Sequence, residues 1–340
     1  MATASDTTLL KPPKALKCAP TYSYEVYGIP IRSDLRFPLV ESASRLEPVV
    51  ELRRGDPSQF AEVLAGISID PDPENWYQLV TFADASVYLR WPELFEFLVS
   101  PDGCRITYNP LAQASLVAFE AYLLGQVLSY SLLKLGYEVL HATTVIVDGE
   151  ALAFLGRSGD GKSSLAAAFL QADYRILSDD LLVLVESPEG FLVPPGLPRI
   201  KLFPEIAERF LPFRVSGAAM NPLTEKSVIP VPEMHSRRSP SLLRALYKLP
   251  SPSARRSAGK VRIWRLADKT AFRELVASSF SPRMVEARRL RRQFETTARL
   301  LTTVPVRRAS YPRGLDYLPL VRDAILADFR RLGRNPLGVV

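Results

Sequence analysis

The chain has 340 residues, 47% hydrophobic and 23% charged, proportions that exclude extended disorder over most of its length and leave room for two domains. Two cysteines, Cys18 and Cys104, exclude a disulfide framework or a cysteine metal cluster, and the N-terminus lacks the charged start and apolar run of a secretory signal, so a reducing cytoplasm is the expected setting. The net charge of +7 conceals a division: residues 231–340 carry 24 Lys or Arg against 8 Asp or Glu, and residues 1–230 carry 19 against 28, which points the C-terminal part at an anionic partner.

In chain order, residues 1–20 read as a loose tail in which Pro12 and Pro13 break any helix. Thr21–Gly28 alternates Tyr22, Tyr24 and Val26 with Ser23 and Glu25, the period of a half-buried strand. Val49–Arg53, Tyr77–Phe82 and Val87–Trp91 are further strands, and Leu94–Val99 pairs with Cys104–Tyr108 across a Pro-Asp-Gly turn. Residues 21–110 thus form a small β-rich domain without a cluster of chemistry-bearing side chains, and its aromatics, Trp76 and Trp91 among them, are expected in the core rather than on a peptide-binding face. Leu111–Leu135 is the most apolar stretch, yet Glu120, Gln126 and Lys134 interrupt it. Leu116, Phe119, Leu123, Val127, Tyr130 and Leu133 recur at helical spacing, so it reads as a core helix capped by Gly136, not a membrane span.

Val139–Val147 and Ala151–Leu155, joined by Asp148 and Gly149, form a hairpin or successive strands of one sheet. Gly156, Gly161, Lys162 and Ser163 then fit the pattern G-x-x-x-x-G-K-[ST] between an apolar strand and the Ala- and Leu-rich helix start Ser163–Leu170. Glycines let backbone N–H groups close around phosphates, Lys162 adds a mobile cation, Ser163 offers an oxygen to Mg²⁺, and the helix turns its positive end to the anion. The expected nucleotide-binding set is Gly156, Arg157, Ser158, Gly159, Asp160, Gly161, Lys162, Ser163 and Ser164, and the expected ligands are ATP and Mg²⁺. A strand over Tyr174–Ser178 delivers Asp179 and Asp180 to the carboxyl edge of the sheet. Two adjacent acids repel unless a metal or a proton lies between them, so one is expected to hold Mg²⁺ and the other to take a proton from an attacking hydroxyl. Ser163 and Asp180 are the expected metal pair, although the residues alone leave the two aspartate roles open.

Beyond the acids, Leu181–Val185 is a strand, Pro194–Pro204 an irregular segment ending in the cations Arg199 and Lys201, and Glu205–Phe210 a short helix. Residues 213–258, rich in Pro, Ser, Arg and Gly, read as a mobile flap holding Lys226 and His235, with one short run at Ser241–Leu249. Val261–Leu266 is a strand and Ala271–Ala277 a helix. In the helix Pro282–Leu301, Ala287, Leu290, Phe294, Ala298 and Leu301 share one face while Arg288, Arg289, Arg291, Arg292 and Arg299 occupy others, a solvated arginine surface with Glu286 and Glu295 as partners, or a docking face for an acidic peptide or another subunit. Val304–Tyr311 and Leu315–Leu332 close the fold as strand and helix.

The run LHATTVIVDGEALAFLGRSGDGKSSLAAAFLQADYRILSDD resembles the catalytic core of HPr kinase/phosphorylase and its diverged kinase relatives, strongly over about residues 138–203 and more weakly through Pro194–Pro204 and Val304–Leu326. The resemblance implies an α/β fold, a P-loop kinase core of the HPr kinase/phosphoenolpyruvate carboxykinase type over residues 111–335, beside the smaller β-rich domain. It implies that His141, Gly156 to Ser163, Asp179 and Asp180 surround the transferred phosphoryl group, with His141, Lys162, Asp179 and Asp180 catalytic. A lone strand histidine is ordinarily a core residue, so the role of His141 comes from the resemblance. No E-x-R-G-x-G segment follows the core, Ser164 stands where a Glu usually follows the loop serine, and residues 1–110 do not resemble the HPr kinase N-terminal domain. HPr is therefore not the expected substrate.

These features predict a cytoplasmic, ATP-dependent kinase acting on a hydroxyl, most directly a Ser of a peptide or protein, able to form homo-oligomers as its relatives do. A nucleotide-gated binding module and a small-molecule kinase are the alternatives. Neither nucleic acid nor a membrane is an expected partner.

Overall fold

The computed structural model describes residues 21–42, 47, 49–67, 77–111, 115–214, 217–221, 224–251 and 260–334. The tail expected over residues 1–20, with Cys18, and Trp76 lie outside them. The chain divides into two compact units, Met1–Gly136 and Tyr137–Val340.

The first unit is built on strands β1 (Tyr22–Val26), β2 (Ile29–Ser33), β3 (Val50–Arg54), β4 (Gln78–Thr81), β5 (Val87–Trp91), β6 (Phe95–Val99) and β7 (Arg105–Pro110), in the order β1-β2-β3-β7-β6-β5-β4. Tyr27 and Gly28, both at positive φ, turn β1 into β2, a strand hidden in the sequence by Pro30. The helix Pro57–Val63 is also unforeseen, although Asp56 and Gln59 form a capping box and Phe60 anchors its buried side. Leu116–Lys134 is a helix with a widened turn at Leu123–Val127. Phe119 and Tyr122 pack it against Trp91, Phe95, Phe97 and Tyr108 of the sheet. It is long and apolar enough to cross a membrane, but 83% of its apolar window is buried, as in a core helix. Because the division falls after Gly136, this helix belongs to the first unit and not to the 111–335 segment expected to hold it.

The second unit contains β8 (Glu138–Val147), β9 (Glu150–Leu155), β10 (Arg175–Ser178), β11 (Leu181–Ser187), β12 (Gly190–Val193), β13 (Arg199–Leu202), β14 (Ala218–Asn221), β15 (Thr224–Pro230), β16 (Ser241–Lys248), β17 (Arg262–Arg265) and β18 (Val306–Ser310). β8 and β9 are a true hairpin, with Asp148 and Gly149 both at positive φ. β9 runs parallel to β16, and β16 parallel to β18, inside an eight-stranded sheet. Along β8, β10 pairs with Thr144–Ile146 and β11 with Glu138–His141, so the break between them falls at Asp179 and Asp180. Asp180 occupies left-handed backbone at φ 75°, and Ala142 donates its N–H to the Asp180 carbonyl. This kink in a continuous edge is what presents the acid pair.

Three expectations are overturned here. The segment Pro194–Pro204 holds strand β13, which with β15 and β14 forms a small second sheet. The expected flap over 213–258 contributes three strands, and β16 is central: Leu243, Ala245, Leu246 and Tyr247 are buried, while Arg244 and Lys248 find the carboxylates of Glu150 and of Glu274 and Asp160. Charges neutralised by tertiary partners had disguised an interior strand. The helix Ala287–Thr303 does not bury the expected face as a whole: Ala287, Leu290, Phe294 and Ala298 are exposed and Leu301 only partly buried, whereas Arg289, Gln293, Thr296, Thr297 and Leu300 face the interior. The cause is Glu138, itself buried, whose carboxylate draws in Arg289 at 3.9 Å and Arg292 at 3.7 Å while Ser279 accepts from Arg289.

Candidate active site

β9 ends at Leu155, the loop follows, and the helix Lys162–Gln171 begins, its Leu165–Leu170 wholly buried. Gly159 and Gly161 hold φ of 86° and 92°, backbone that a side chain would strain, and Gly161 caps the helix. A Cβ at Gly156 would stand 2.8 Å from the Cβ of Asp160, so glycine is required there by close approach. Asp160 points away from solvent, accepts the Arg157 N–H at 2.7 Å and faces Lys248 at 3.6 Å; it shapes the loop from behind. Ser158, Gly159, Gly161, Lys162, Ser163 and Ser164 line a cavity of about 210 Å³; Gly156, Arg157 and Asp160, expected in the binding set, are not among its lining residues.

Lys162 is 6% exposed and donates to the carbonyls of Gly156 (2.9 Å) and Arg157 (3.0 Å). Its third partner is His141 Nε2 at 2.9 Å. Burial, followed by the Lys162 charge, pushes the His141 pKa down to about 4, so the ring is neutral near pH 7. A carbonyl only accepts, so His141 Nδ1 carries the proton toward the Asp180 oxygen at 3.2 Å, and Nε2 is left to accept from Lys162. Burial also pushes the Lys162 ammonium down to about 8, against the pull of Asp180 and Asp179.

The two acids occupy different surroundings. Asp179 Oδ1 accepts from Thr143 (2.6 Å) and Ser163 (2.9 Å), and Oδ2 from the Lys201 N–H (2.9 Å). Burial and the neighbouring Asp180 charge push its carboxyl up. Asp180 lines the cavity and forms an ion pair with the Lys201 ammonium. Although burial works the other way, the Lys201 ammonium holds Asp180 well below the usual carboxylate range. Ser163 donates to Asp179, whereas Asp180, expected to share a metal with Ser163, pairs with Lys201. Among the described residues no group of three or more His, Cys, Asp or Glu side chains could enclose a metal. A hydroxyl and two carboxylates nonetheless suit Mg²⁺, a hard cation that keeps waters and takes phosphate oxygens instead of an all-protein cage.

No protein-family profile matches the chain. A stretch of 70 residues is 34% identical to the HPr kinase/phosphorylase of Chloroherpeton thalassium, spanning 21% of this chain and 21% of that protein. The chain has an HPr kinase-like relationship. The HPr(Ser) kinase/phosphatase structure from Coxiella burnetii covers 58% of this chain and 99% of its own, at 12% identity and a TM-score of 0.34.

Sequence reasoning brought together His141, Lys162, Ser163, Asp179 and Asp180, which the structure gathers within one cluster joined through Lys201. Lys201, named in the sequence only as one of two cations close to the acid-bearing strand, bonds one aspartate through its backbone and the other through its side chain. The signal was the spacing of a cation on alternating Ile200 and Leu202, a strand pattern masked by flanking prolines. Thr143 had no sequence signal. Lys226 lines the cavity, while His235 is buried against Phe213 elsewhere.

Proposed function

We propose that the second unit is a Mg²⁺-dependent phosphotransferase of the HPr kinase/phosphoenolpyruvate carboxykinase type that moves the γ-phosphate of ATP to a hydroxyl, most directly a Ser of a peptide or protein. The observation that carries this reading is the split between the aspartates: one tied to the loop serine, the other paired with Lys201 at the cavity wall. Loop amides and Lys162 neutralise the phosphates, and Lys162 exchanges its carbonyl and His141 contacts for phosphate oxygens as the nucleotide enters. Ser163 and Asp179 would hold Mg²⁺, which supplies charge neutralisation on the phosphates when bound. Asp180, kept ionised by Lys201, orients the acceptor hydroxyl and receives its proton as the oxygen–phosphorus bond forms. His141 keeps Lys162 aimed into the cavity. The free, exposed Cys104 suits a reducing cytoplasm.

The test incubates the intact chain with γ-labelled ATP, Mg²⁺, Ser-containing peptides and a cell-extract metabolite pool. Label in a peptide that disappears with Lys162→Ala supports the proposal. Label confined to a metabolite would favour a small-molecule kinase, and nucleotide binding without transfer a binding module.

A further inference from the structure

We propose that Lys226, reaching in from the small second sheet, is an additional phosphate-binding cation that grips the terminal phosphate of the nucleotide from the wall facing the loop. This inference rests on the cavity being a triphosphate site. β13 and β15 pair antiparallel with Lys201 opposite Val228 and Leu202 opposite Ser227, and one step further sets Phe203 opposite Lys226. Opposed residues share a sheet face, as do residues two apart on a strand, so Lys201, Phe203 and Lys226 point to one side. All three line the cavity.

The charges on that wall are unequal in their commitments. Lys201 is paired with Asp180. The Lys226 ammonium stands 5.4 Å from the centroid of the Phe203 ring, and among the described residues it meets no carboxylate. A cation over a partly exposed ring gains only about 0.5–1 kcal/mol, so a phosphate oxygen readily displaces that contact. Lys162 faces the same cavity, and after burial has depressed its pKa, the Lys226 charge depresses it further. Two like charges turned toward one cavity repel each other unless an anion lies between them.

The wall also says which phosphate is involved. It carries Asp180 with its Lys201 partner, so it borders the reacting end of the chain of phosphates, whereas loop amides hold the inner ones. ATP therefore reaches Lys226 and ADP does not.

The experiment titrates the intact chain with MgATP and MgADP by calorimetry, comparing the unmodified protein with Lys226→Met, Lys226→Gln and Lys226→Arg, each checked for an unchanged thermal melt. Loss of one charge-assisted contact predicts MgATP binding weaker by about tenfold in both neutral variants, MgADP changed by less than about twofold, and Lys226→Arg close to the unmodified protein. Equal weakening of both nucleotides, or no weakening of ATP, would overturn the role of Lys226 while leaving the nucleotide site standing. Failure of the unmodified chain to bind either nucleotide would overturn the triphosphate site itself, and this inference with it.

Discussion

Lys162 is the side chain at which function and stability are opposed most sharply. Its ammonium is 6% exposed and its pKa falls from 10.5 to about 8, a gap equivalent to roughly 3 kcal/mol against holding the charge there at neutral pH. Hydrogen bonds to Gly156 and Arg157 return about 1 kcal/mol each, so Lys162→Met, which keeps the aliphatic stem, is expected to change stability by no more than about 1–2 kcal/mol. The sign with pH follows from the depressed folded pKa: this contribution to stability is fully present above about 10.5 and lost as pH falls through about 8. Denaturant unfolding at pH 7 and pH 10 should therefore show the unmodified chain gaining stability relative to Lys162→Met as pH rises. In the same variant, phosphotransfer should fall by at least about a thousandfold, because the cation that meets the phosphates is gone. Near-normal turnover, or a loss of stability above about 4 kcal/mol at pH 7, would refute the reasoning.

Other outcomes follow from the same geometry. Gly156→Ala places a Cβ 2.8 Å from the Asp160 Cβ, so the loop must shift; MgATP affinity should fall by more than about tenfold with circular dichroism unchanged. His141, with its folded pKa at about 4, contributes stability present above about 6.5 and lost as pH falls through 4; lowering the pH from about 6.5 to about 4 should take up to about 3 kcal/mol more stability from the unmodified chain than from His141→Gln in denaturant unfolding. Glu138→Ala leaves Arg289 buried without its carboxylate and should cost about 3–5 kcal/mol in denaturant unfolding, most of it recovered by combining Glu138→Leu with Arg289→Met.

How far the sequence could foretell this depends on whether the information was local. The strand–loop–helix around Gly156–Ser163 is written in contiguous residues: Gly159 and Gly161 sit at positive φ, and apolar residues flank them on both sides. The acid pair was legible for the same reason, as was the 148–149 turn of the β8–β9 hairpin. What stayed hidden needed partners distant in sequence. Lys248 is acceptable in a central strand only because Asp160 and Glu274 meet it, and Arg289 turns inward only because Glu138 lies beneath it. The different surroundings of Asp179 and Asp180 were equally out of reach, since they depend on Thr143, Ser163 and Lys201 arriving from three other elements.

The most direct measurement is a crystal structure of the intact chain with Mg²⁺ and a non-hydrolysable ATP analogue. The account predicts the phosphates seated on the amides of Ser158–Ser164, the metal against Ser163 and Asp179, and the terminal phosphate facing Asp180. An analogue bound away from the loop, or a terminal phosphate turned from both aspartates, would contradict it.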